Sequence, residues 1–310
     1  MRHYSMPISV AAIACGLLAG ATAVQAGNET WVSGTGSDTG TRPRTAPCRT
    51  FAYAHSQTTA QGAINVLNSG DFGPLTITKA ISIVSDGVEG AINSIANGAA
   101  ILVQAPATAI VSLRGLTIDP HGAPNTGILF EGGKALHVRD TVIRNVGNAL
   151  FFGPPPGVSE LYIADSVIAD GGSDQVVVQG SGNSTIRARL DRVRIENGPF
   201  NGLVFRPGNT PLNATVRSSV ISGHGGTGIL ASTTGGTVNV MLDRTVSMSN
   251  GTGVFASGAA ATIRIGDSTV TGNQALGLNT SGGGVISSYG TNQVNGNGTD
   301  GVPTNTITMK

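Results

Sequence analysis

The chain has 310 residues, and 18 Lys and Arg against 17 Asp and Glu leave a formal net charge of +1. Only 11% of the residues are charged, and 46 are glycine. A nearly neutral chain without basic clusters is a poor candidate for binding nucleic acid or an anionic membrane surface. The length is sufficient for a sizeable buried core.

The first 26 residues have the pattern of a secretory signal peptide. Arg2 provides the positive start, residues 8–23 are apolar or small, and the segment ends on Val-Gln-Ala, which fits a cleavage site. A membrane anchor is the alternative, but the apolar run is short and rich in Gly and Ala. Cleavage removes one of the 18 basic residues and leaves 17 Lys and Arg against 17 Asp and Glu. We therefore predict a neutral protein, secreted or periplasmic, with no membrane span after cleavage.

Cysteine usage argues against a disulfide framework. Cys15 lies within the signal segment, which leaves Cys48 as the single cysteine of the mature chain. The sequence has no CxxC pair and no spacing typical of zinc ligands. We therefore predict neither a metal nor another cofactor.

Residues 27–62 predict an N-terminal capping region. A strand at 29–32 is followed by a polar loop, and a short helix is expected within 50–61, where apolar residues recur at helical spacing. A stack of strands needs such a cap, because an open end exposes unpaired strand edges. At the other end of the chain, residues 299–310 are polar and predict a loose tail.

One pattern repeats about every 25 residues between about residues 110 and 280, within a predicted β-helix that covers residues 63–298. Seven units align on a single column, and its successive steps are 25, 25, 27, 26, 26 and 23 residues. The column consists of Ile118, Ile143, Ile168, Ile195, Ile221, Ser247 and Val270. Each unit contains short alternating apolar pieces separated by Gly, Asn, Asp or Ser, which is typical of strands and turns.

One unit cannot bury its apolar column alone, whereas a stack of units can. Like residues of neighbouring units then lie about 4.8 Å apart, as neighbouring strands do. We therefore predict an all-β fold, a parallel β-helix of about 9–10 coils. The preference of parallel crossovers predicts a right-handed helix.

Three motifs resemble a known family. They are Thr30-Trp31-Val32-Ser33-Gly34, the run from Arg44 to Phe51, and Ile64-Asn65-Val66-Leu67. With the repeated units, they resemble the bacterial secreted proteins called right-handed β-helix repeat proteins, over nearly the whole mature chain. The resemblance implies the fold and export, but no particular reaction. More broadly, the fold is similar to that of pectate lyases, polygalacturonases and alginate epimerases, the pectin-lyase-like fold.

One motif points to catalysis. Asp119-Pro120-His121 is similar to the Asp-Pro-His-acid motif of alginate epimerases, with Gly122 in place of the acid. In such a site the Asp would neutralise a uronate carboxylate, and the His would serve as general base. The alternative is a plain turn, because the segment contains Pro and Gly and is two residues longer than its neighbours. Asp119 and His121 are thus the candidate catalytic residues of a uronate lyase or epimerase.

Two other patterns have structural interpretations. Gly223-His224-Gly225 matches one of four polygalacturonase motifs, but it falls in a turn of the repeat, so we interpret His224 as structural. Charges of mostly alternating sign follow the first strand of each unit and predict a surface ladder of ion pairs; a strip that binds Ca²⁺ or uronate is the alternative. These residues are Arg114, Arg139, Asp140, Asp165, Asp191, Arg192, Arg217, Asp243, Arg244 and Asp267.

The second strand of each unit predicts an outward apolar stripe. Its inward residues are Ile128, Leu150, Val176, Leu203, Ile229, Val254 and Leu278. Because strand side chains alternate, the next residue of each strand points outward. These outward residues are Leu129, Phe151, Val177, Val204, Leu230 and Phe255, followed by Asn279. The sequence therefore predicts a non-catalytic protein that presents this stripe to a glycan or protein partner, unless a loop such as 153–157 covers it.

Overall fold

A computed structural model describes residues 28–39, 43–96, 98–121 and 125–308 of the chain. The signal peptide predicted for residues 1–26 lies outside these ranges. Within them, one helix and 31 strands are present, and every strand belongs to one of three parallel sheets.

The first sheet has 12 strands, the second ten and the third nine. The first sheet contains β1 (Glu29–Val32), β2 (Gly62–Val66), β5 (Ile81–Val84), β8 (Ile110–Arg114), β11 (Ala135–Arg139), β14 (Gly157–Ala164), β17 (Ser184–Asp191), β20 (Leu212–Arg217), β23 (Val238–Asp243), β26 (Ala261–Gly266), β29 (Val285–Ser288) and β31 (Asn305–Thr306). The second contains β3 (Gly70–Asp71), β6 (Gly90–Ile92), β9 (Leu116–Ile118), β12 (Val142–Arg144), β15 (Val167–Ala169), β18 (Arg194–Gly198), β21 (Val220–His224), β24 (Val246–Met248), β27 (Thr269–Thr271) and β30 (Gln293–Asn295). The third contains β4 (Leu75–Ile77), β7 (Ala99–Gln104), β10 (Thr126–Gly132), β13 (Leu150–Phe152), β16 (Val176–Gln179), β19 (Leu203–Arg206), β22 (Thr227–Ser232), β25 (Thr252–Ser257) and β28 (Leu276–Ser281).

Each coil of the chain adds one strand to each sheet, and the next coil stacks on it in parallel. Strand pairing places Ile143, Ile168 and Ile195 side by side in the second sheet, and each is 1% exposed. The inward residues of the third sheet stack in the same way and are buried, from Ile128 to Leu278. Nine coils have a strand in all three sheets, since the third sheet has nine strands. The predicted parallel β-helix and its register are confirmed.

Helix α1 (Phe51–Gln57) lies within the segment where a short helix was expected, and it packs at the N-terminal end. The hydroxyl of Thr50 accepts a hydrogen bond from the backbone N–H of Tyr53 at 3.1 Å, which caps the first turn. Phe51 is fully buried, and its ring centre lies 5.0 Å from that of Phe72 in the first coil. Among the described residues, no helix is long and apolar enough to cross a membrane.

The C-terminal residues do not form the loose tail that their polarity predicted. Strand β31 pairs with Ser287 and Ser288 at the end of the first sheet. The backbone N–H of Thr299 donates to the carbonyl of Ala275 at 2.7 Å, next to the third sheet. Polarity misleads here because a strand edge binds backbone groups, whatever the side chains are. The last coil is therefore covered on two of its three sides.

The turn from the first to the second sheet has one recurring conformation. Six non-glycine residues in it have φ between 48° and 53°. They are Asp140, Asp165, Arg192, Ser218, Arg244 and Asp267. One residue later, the hydroxyl of Ser166 accepts from the backbone N–H of Thr141 in the preceding coil at 3.2 Å, and Ser219 does the same for Val193 at 3.1 Å. Neighbouring coils thus satisfy each other's buried backbone groups at this turn.

Candidate functional site

The outer face of the first sheet carries an open groove of about 700 Å³. Strands β11, β14, β17, β20, β23 and β26 form its floor. In these strands every second residue points into the core, so the residues between them face solvent in columns. One outward column holds His137, Tyr162, Arg189, Thr215, Met241 and Arg264. The adjacent outward column holds Glu160, Arg187, Asn213 and Asn239.

The groove is basic, although the whole chain is almost neutral. Four arginines and one glutamate line it, which gives a local charge of 4 − 1 = +3. The glutamate, Glu160, pairs with Arg187 at 3.3 Å. Arg139 donates to the Tyr162 hydroxyl at 3.4 Å, and its guanidinium lies 5.3 Å from the centre of that ring. Two of the four arginines are therefore held by groups inside the groove.

The other two arginines of the groove are Arg189 and Arg264. Neither side chain forms an ion pair, a hydrogen bond or a ring contact with any described residue. Their guanidinium groups are available for an anionic ligand group, which arginine binds with paired, charge-assisted hydrogen bonds.

An aromatic pair lies at the end of the groove nearest the N-terminus. The ring centres of His137 and Tyr162 are 6.0 Å apart, and the rings meet edge to face at 83°. Burial lowers the pKa of His137, Glu160 opposes this change, and Arg139 adds to it. The imidazole is therefore neutral at pH 7. The two rings offer an apolar surface with polar edges, which suits the face of a sugar ring.

The structure brings the predicted catalytic residues together at the turn after β9. Asp119 is 6% exposed, and its two oxygens accept from Nε of Arg144 and Nδ2 of Asn145, each at 2.8 Å. His121 Nδ1 lies 3.3 Å from Asp119 Oδ1, and the His121 side chain is exposed. Burial alone raises the pKa of Asp119, but the hydrogen bonds from Asn145 and Arg144 outweigh it and lower the pKa. The carboxylate is thus ionised, and both of its oxygens are occupied.

The groove and this cluster are separate places on the molecule. Asp119 and His121 follow a strand of the second sheet, and neither residue lines the groove on the first sheet. Asp119, His121 and Arg144 converge, which is one feature expected of a uronate site. It is also the arrangement of a well-bonded turn.

The predicted apolar stripe has the expected register but is only partly accessible. Strand pairing stacks all six residues in one column on the outside of the third sheet. Val177 and Val204, however, are 2% and 0% exposed, so the centre of the stripe cannot contact a partner. The four half-buried residues are Leu129, Phe151, Leu230 and Phe255. The predicted continuous binding surface therefore reduces to two smaller patches.

An ion pair lies near the central valines in sequence. Arg206, two residues after Val204, meets Asp174, three residues before Val177, at 3.3 Å. In the preceding coil, Gly153 lies against the ring of Phe151, two residues earlier in the chain.

The predicted ladder of surface ion pairs is present. Arg114 pairs with Asp140 at 3.3 Å and Arg217 with Asp243 at 3.4 Å. These side chains are largely exposed, so each pair contributes about 0–1 kcal/mol. Within the described part of the chain, no three of His, Cys, Asp and Glu are placed to hold a metal ion.

His224 has the structural role that its place in the repeat predicted. It is 1% exposed, its Nε2 lies 3.2 Å from the carbonyl oxygen of Ile195, and its backbone N–H donates to Oδ1 of Asn250 at 3.1 Å. Burial lowers its pKa, and the bond to Ile195 opposes that change. A neutral ring enclosed in this way has no access to a substrate.

Sequence reasoning missed the groove, although a signal for it exists. Arg189 and Arg264 each stand immediately before an inward residue, Leu190 and Ile265. An outward polar column of this kind is visible in the alignment of the units. Whether such a column is open or covered depends on the neighbouring loops, which the repeat pattern does not determine.

Comparison with known proteins supports the fold. No protein-family model matches the sequence, and no curated protein sequence matches it significantly. The crystal structure of pectate lyase Pel9A is similar with a TM-score of 0.58 and 12% identity, over 89% of this chain and 79% of that chain. The A-module of the Azotobacter vinelandii mannuronan C-5 epimerase AlgE4 gives a TM-score of 0.38 and 11% identity, over 81% of this chain and 91% of that chain. With the three parallel sheets, the similarity to the pectate lyase defines a right-handed parallel β-helix of the pectin-lyase-like class.

Proposed function

We propose that this is a secreted or periplasmic, non-catalytic protein that binds a linear glycan along the groove of its first sheet. The observation that carries the proposal is the composition of that groove. It combines the His137–Tyr162 pair, the amides of Asn213 and Asn239, and arginines without a partner. Its six strands span about 24 Å, which accommodates several sugars in an extended chain. An open groove with an aromatic surface and a few placed polar groups suits a glycan.

Two further observations support a glycan ligand. One solved structure with a similar fold is named as a pectate lyase, although 12% identity carries no reaction to this chain. The signal-peptide pattern of residues 1–26 directs the protein to a compartment where it meets polysaccharides.

The test is a glycan array followed by affinity measurements on purified protein. Tyr162→Ala should weaken binding about tenfold, because an aromatic contact contributes about 0.5–1.5 kcal/mol beyond its buried area. Phe200→Ala is the matched control, since Phe200 is 55% exposed and lies outside the groove. If the array shows no glycan binding, or if both variants lose it equally, the proposal is wrong.

A second candidate function is a uronate lyase or epimerase, and the observation in its favour is the convergence of Asp119, His121 and Arg144. In that case His121, which is exposed, would serve as the base beside an ionised Asp119. Ultraviolet absorbance detects lyase products, and proton NMR detects epimerised uronates. We expect neither activity in the wild-type protein. An activity that is present in the wild type and lost in Asp119→Asn and His121→Ala would establish the enzyme instead.

A further inference from the structure

Arg189 and Arg264 differ from every other arginine in the described ranges. Each of the others bonds to an acid, a carbonyl or a hydroxyl, or lies over an aromatic ring. The two exceptions lie in the same outward column of the same groove. Neighbouring arginines on the same sheet are paired, whereas these two have no partner. Their guanidinium groups can therefore bind an anionic ligand group directly.

The spacing of the two arginines defines a ligand geometry. Arg189 lies on β17 and Arg264 on β26, three coils further along the first sheet. At about 4.8 Å per coil, their positions are about 14 Å apart along the groove. The coils between them contribute only neutral groups, including the amides of Asn213 and Asn239. Along the groove, the Arg189 guanidinium is followed by uncharged hydrogen-bonding groups and then by the Arg264 guanidinium.

We infer that the ligand is a linear anionic glycan, an inference that rests on the proposed function. Its acid groups bind Arg189 and Arg264, and hydroxyls of the intervening sugars bind Asn213 and Asn239. The acid group is a uronate carboxylate or a sulfate ester, since both present oxygens that match a guanidinium. A nucleic acid fits less well, because a local charge of +3 with a single aromatic pair is small for a backbone with one charge per nucleotide.

The experiment measures the affinity of the purified full chain for four probes. Polygalacturonate carries carboxylates, dextran sulfate carries sulfate esters, and dextran is neutral. Duplex DNA is an anionic polymer that lacks the sugar hydroxyls that a glycan presents. The variants are Arg189→Gln, Arg264→Gln and the double variant. Arg217→Gln is the matched control, because Arg217 lies on the same sheet but is paired with Asp243.

Each groove substitution should weaken binding of the anionic glycan about tenfold, as expected for a hydrogen bond between charged groups. The control should bind like the wild type, and neutral dextran should bind weakly to all five proteins. The probe that binds more tightly, polygalacturonate or dextran sulfate, identifies the acid group. For oligomers too short to span about 14 Å, the double variant should weaken binding no more than the more damaging of the two single variants does.

The outcomes separate this inference from the proposed function. If dextran binds as tightly as the anionic glycans and the arginine variants bind normally, the protein binds glycans but the anionic class is wrong. If DNA binds as tightly as polygalacturonate, the site is a general polyanion surface, and the inference also fails. If no glycan binds while circular dichroism shows folded protein, both the inference and the proposed function fail.

Discussion

The side-chain amide of Asn250 donates a hydrogen bond to Oδ1 of Asn273, 3.1 Å away in the next coil. Asn273 in turn donates to Oδ1 of Asn297 at 2.8 Å. Oδ1 of Asn273 also accepts a hydrogen bond from the backbone N–H of Asn250 at 3.0 Å. In the same way, Oδ1 of Asn297 accepts one from the backbone N–H of Asn273 at 3.1 Å. The result is a ladder of amides, buried at Asn250 and Asn273 and half-buried at Asn297, that joins the last three coils at the turn between the second and third sheets.

Asn273→Ala should destabilise the protein by about 2–4 kcal/mol, because unsatisfied buried polar groups cost about 1–3 kcal/mol each. The substitution leaves the backbone N–H of Asn250 without its acceptor and Ser247 without the amide that binds its carbonyl. Urea denaturation measures the change. Asn295→Ala is the control, since Asn295 is exposed in the same part of the chain and should cost little. Equal losses in both variants would show that the ladder contributes nothing specific.

Leu203→Ala should cost about 2–5 kcal/mol, the usual range for removing a large core side chain. Leu203 is fully buried and stacks between Val176 and Ile229 of the neighbouring coils. Denaturant titration followed by tryptophan fluorescence or circular dichroism gives the midpoint. A midpoint unchanged within error would contradict the packing of this column.

In the apolar stripe, we expect the loss of stability on substitution to depend more on burial than on side-chain size. Replacing Val177 and Val204 together by Ser should cost more than about 3 kcal/mol, because both are buried and Ser leaves polar groups there. Replacing the larger, half-buried Phe151 and Phe255 by Ser should cost about 1–3 kcal/mol in total. Thermal unfolding measures both. Sedimentation of the phenylalanine variant tests the stripe as an interface, since a change in oligomeric state with little loss of stability would indicate a partner there.

His55 should make the protein less stable in acid. Burial, together with the ammonium group of Lys79, lowers the pKa of His55 from 6.5 to about 4. Its neutral Nε2 accepts the backbone N–H of Thr78 at 3.3 Å. His55 takes up a proton below pH 6.5 in the unfolded chain but only near pH 4 in the folded chain. The free energy of unfolding is therefore highest above pH 6.5. It falls by about 3 kcal/mol as the pH drops from 6.5 to about 4.

Denaturation of His55→Gln at pH 7.5 and pH 4.5 checks this prediction. The loss of stability between the two pH values should be smaller than in the wild type. His121→Gln is the control, because the His121 side chain is exposed. An unchanged loss in His55→Gln would assign the acid sensitivity to other groups, such as the buried His224.

The sequence predicted the coil register because each coil must bury the same positions as its neighbours. Ile195 and Leu203 were therefore identifiable as core residues from the period alone. Asn250, Asn273 and Asn297 also recur at one position of the unit, three residues after the aligned column. Asparagine is common in turns, so its recurrence at a turn does not by itself predict a ladder of hydrogen bonds.

The sites were less predictable, because accessibility depends on long side chains and not on periodicity. The outward direction of Val204 follows from strand alternation, but its complete burial does not. Similarly, the alternation of strands predicts that Arg189 points outward, but not that it forms no ion pair with any described acid. Ion pairing between coils is a property of three-dimensional side-chain placement, and a single aligned column does not contain it.

The covered ends of the β-helix bear on self-association. Each end of a parallel stack is a strand edge that matches the opposite end of another copy, so two bare ends can join head to tail. Here α1 packs at the first coil, and Thr299 together with β31 occupies two edges of the last coil. Removal of residues 299–308 exposes those two edges, and we expect the shortened chain to associate head to tail while its core stays unchanged, which sedimentation measures.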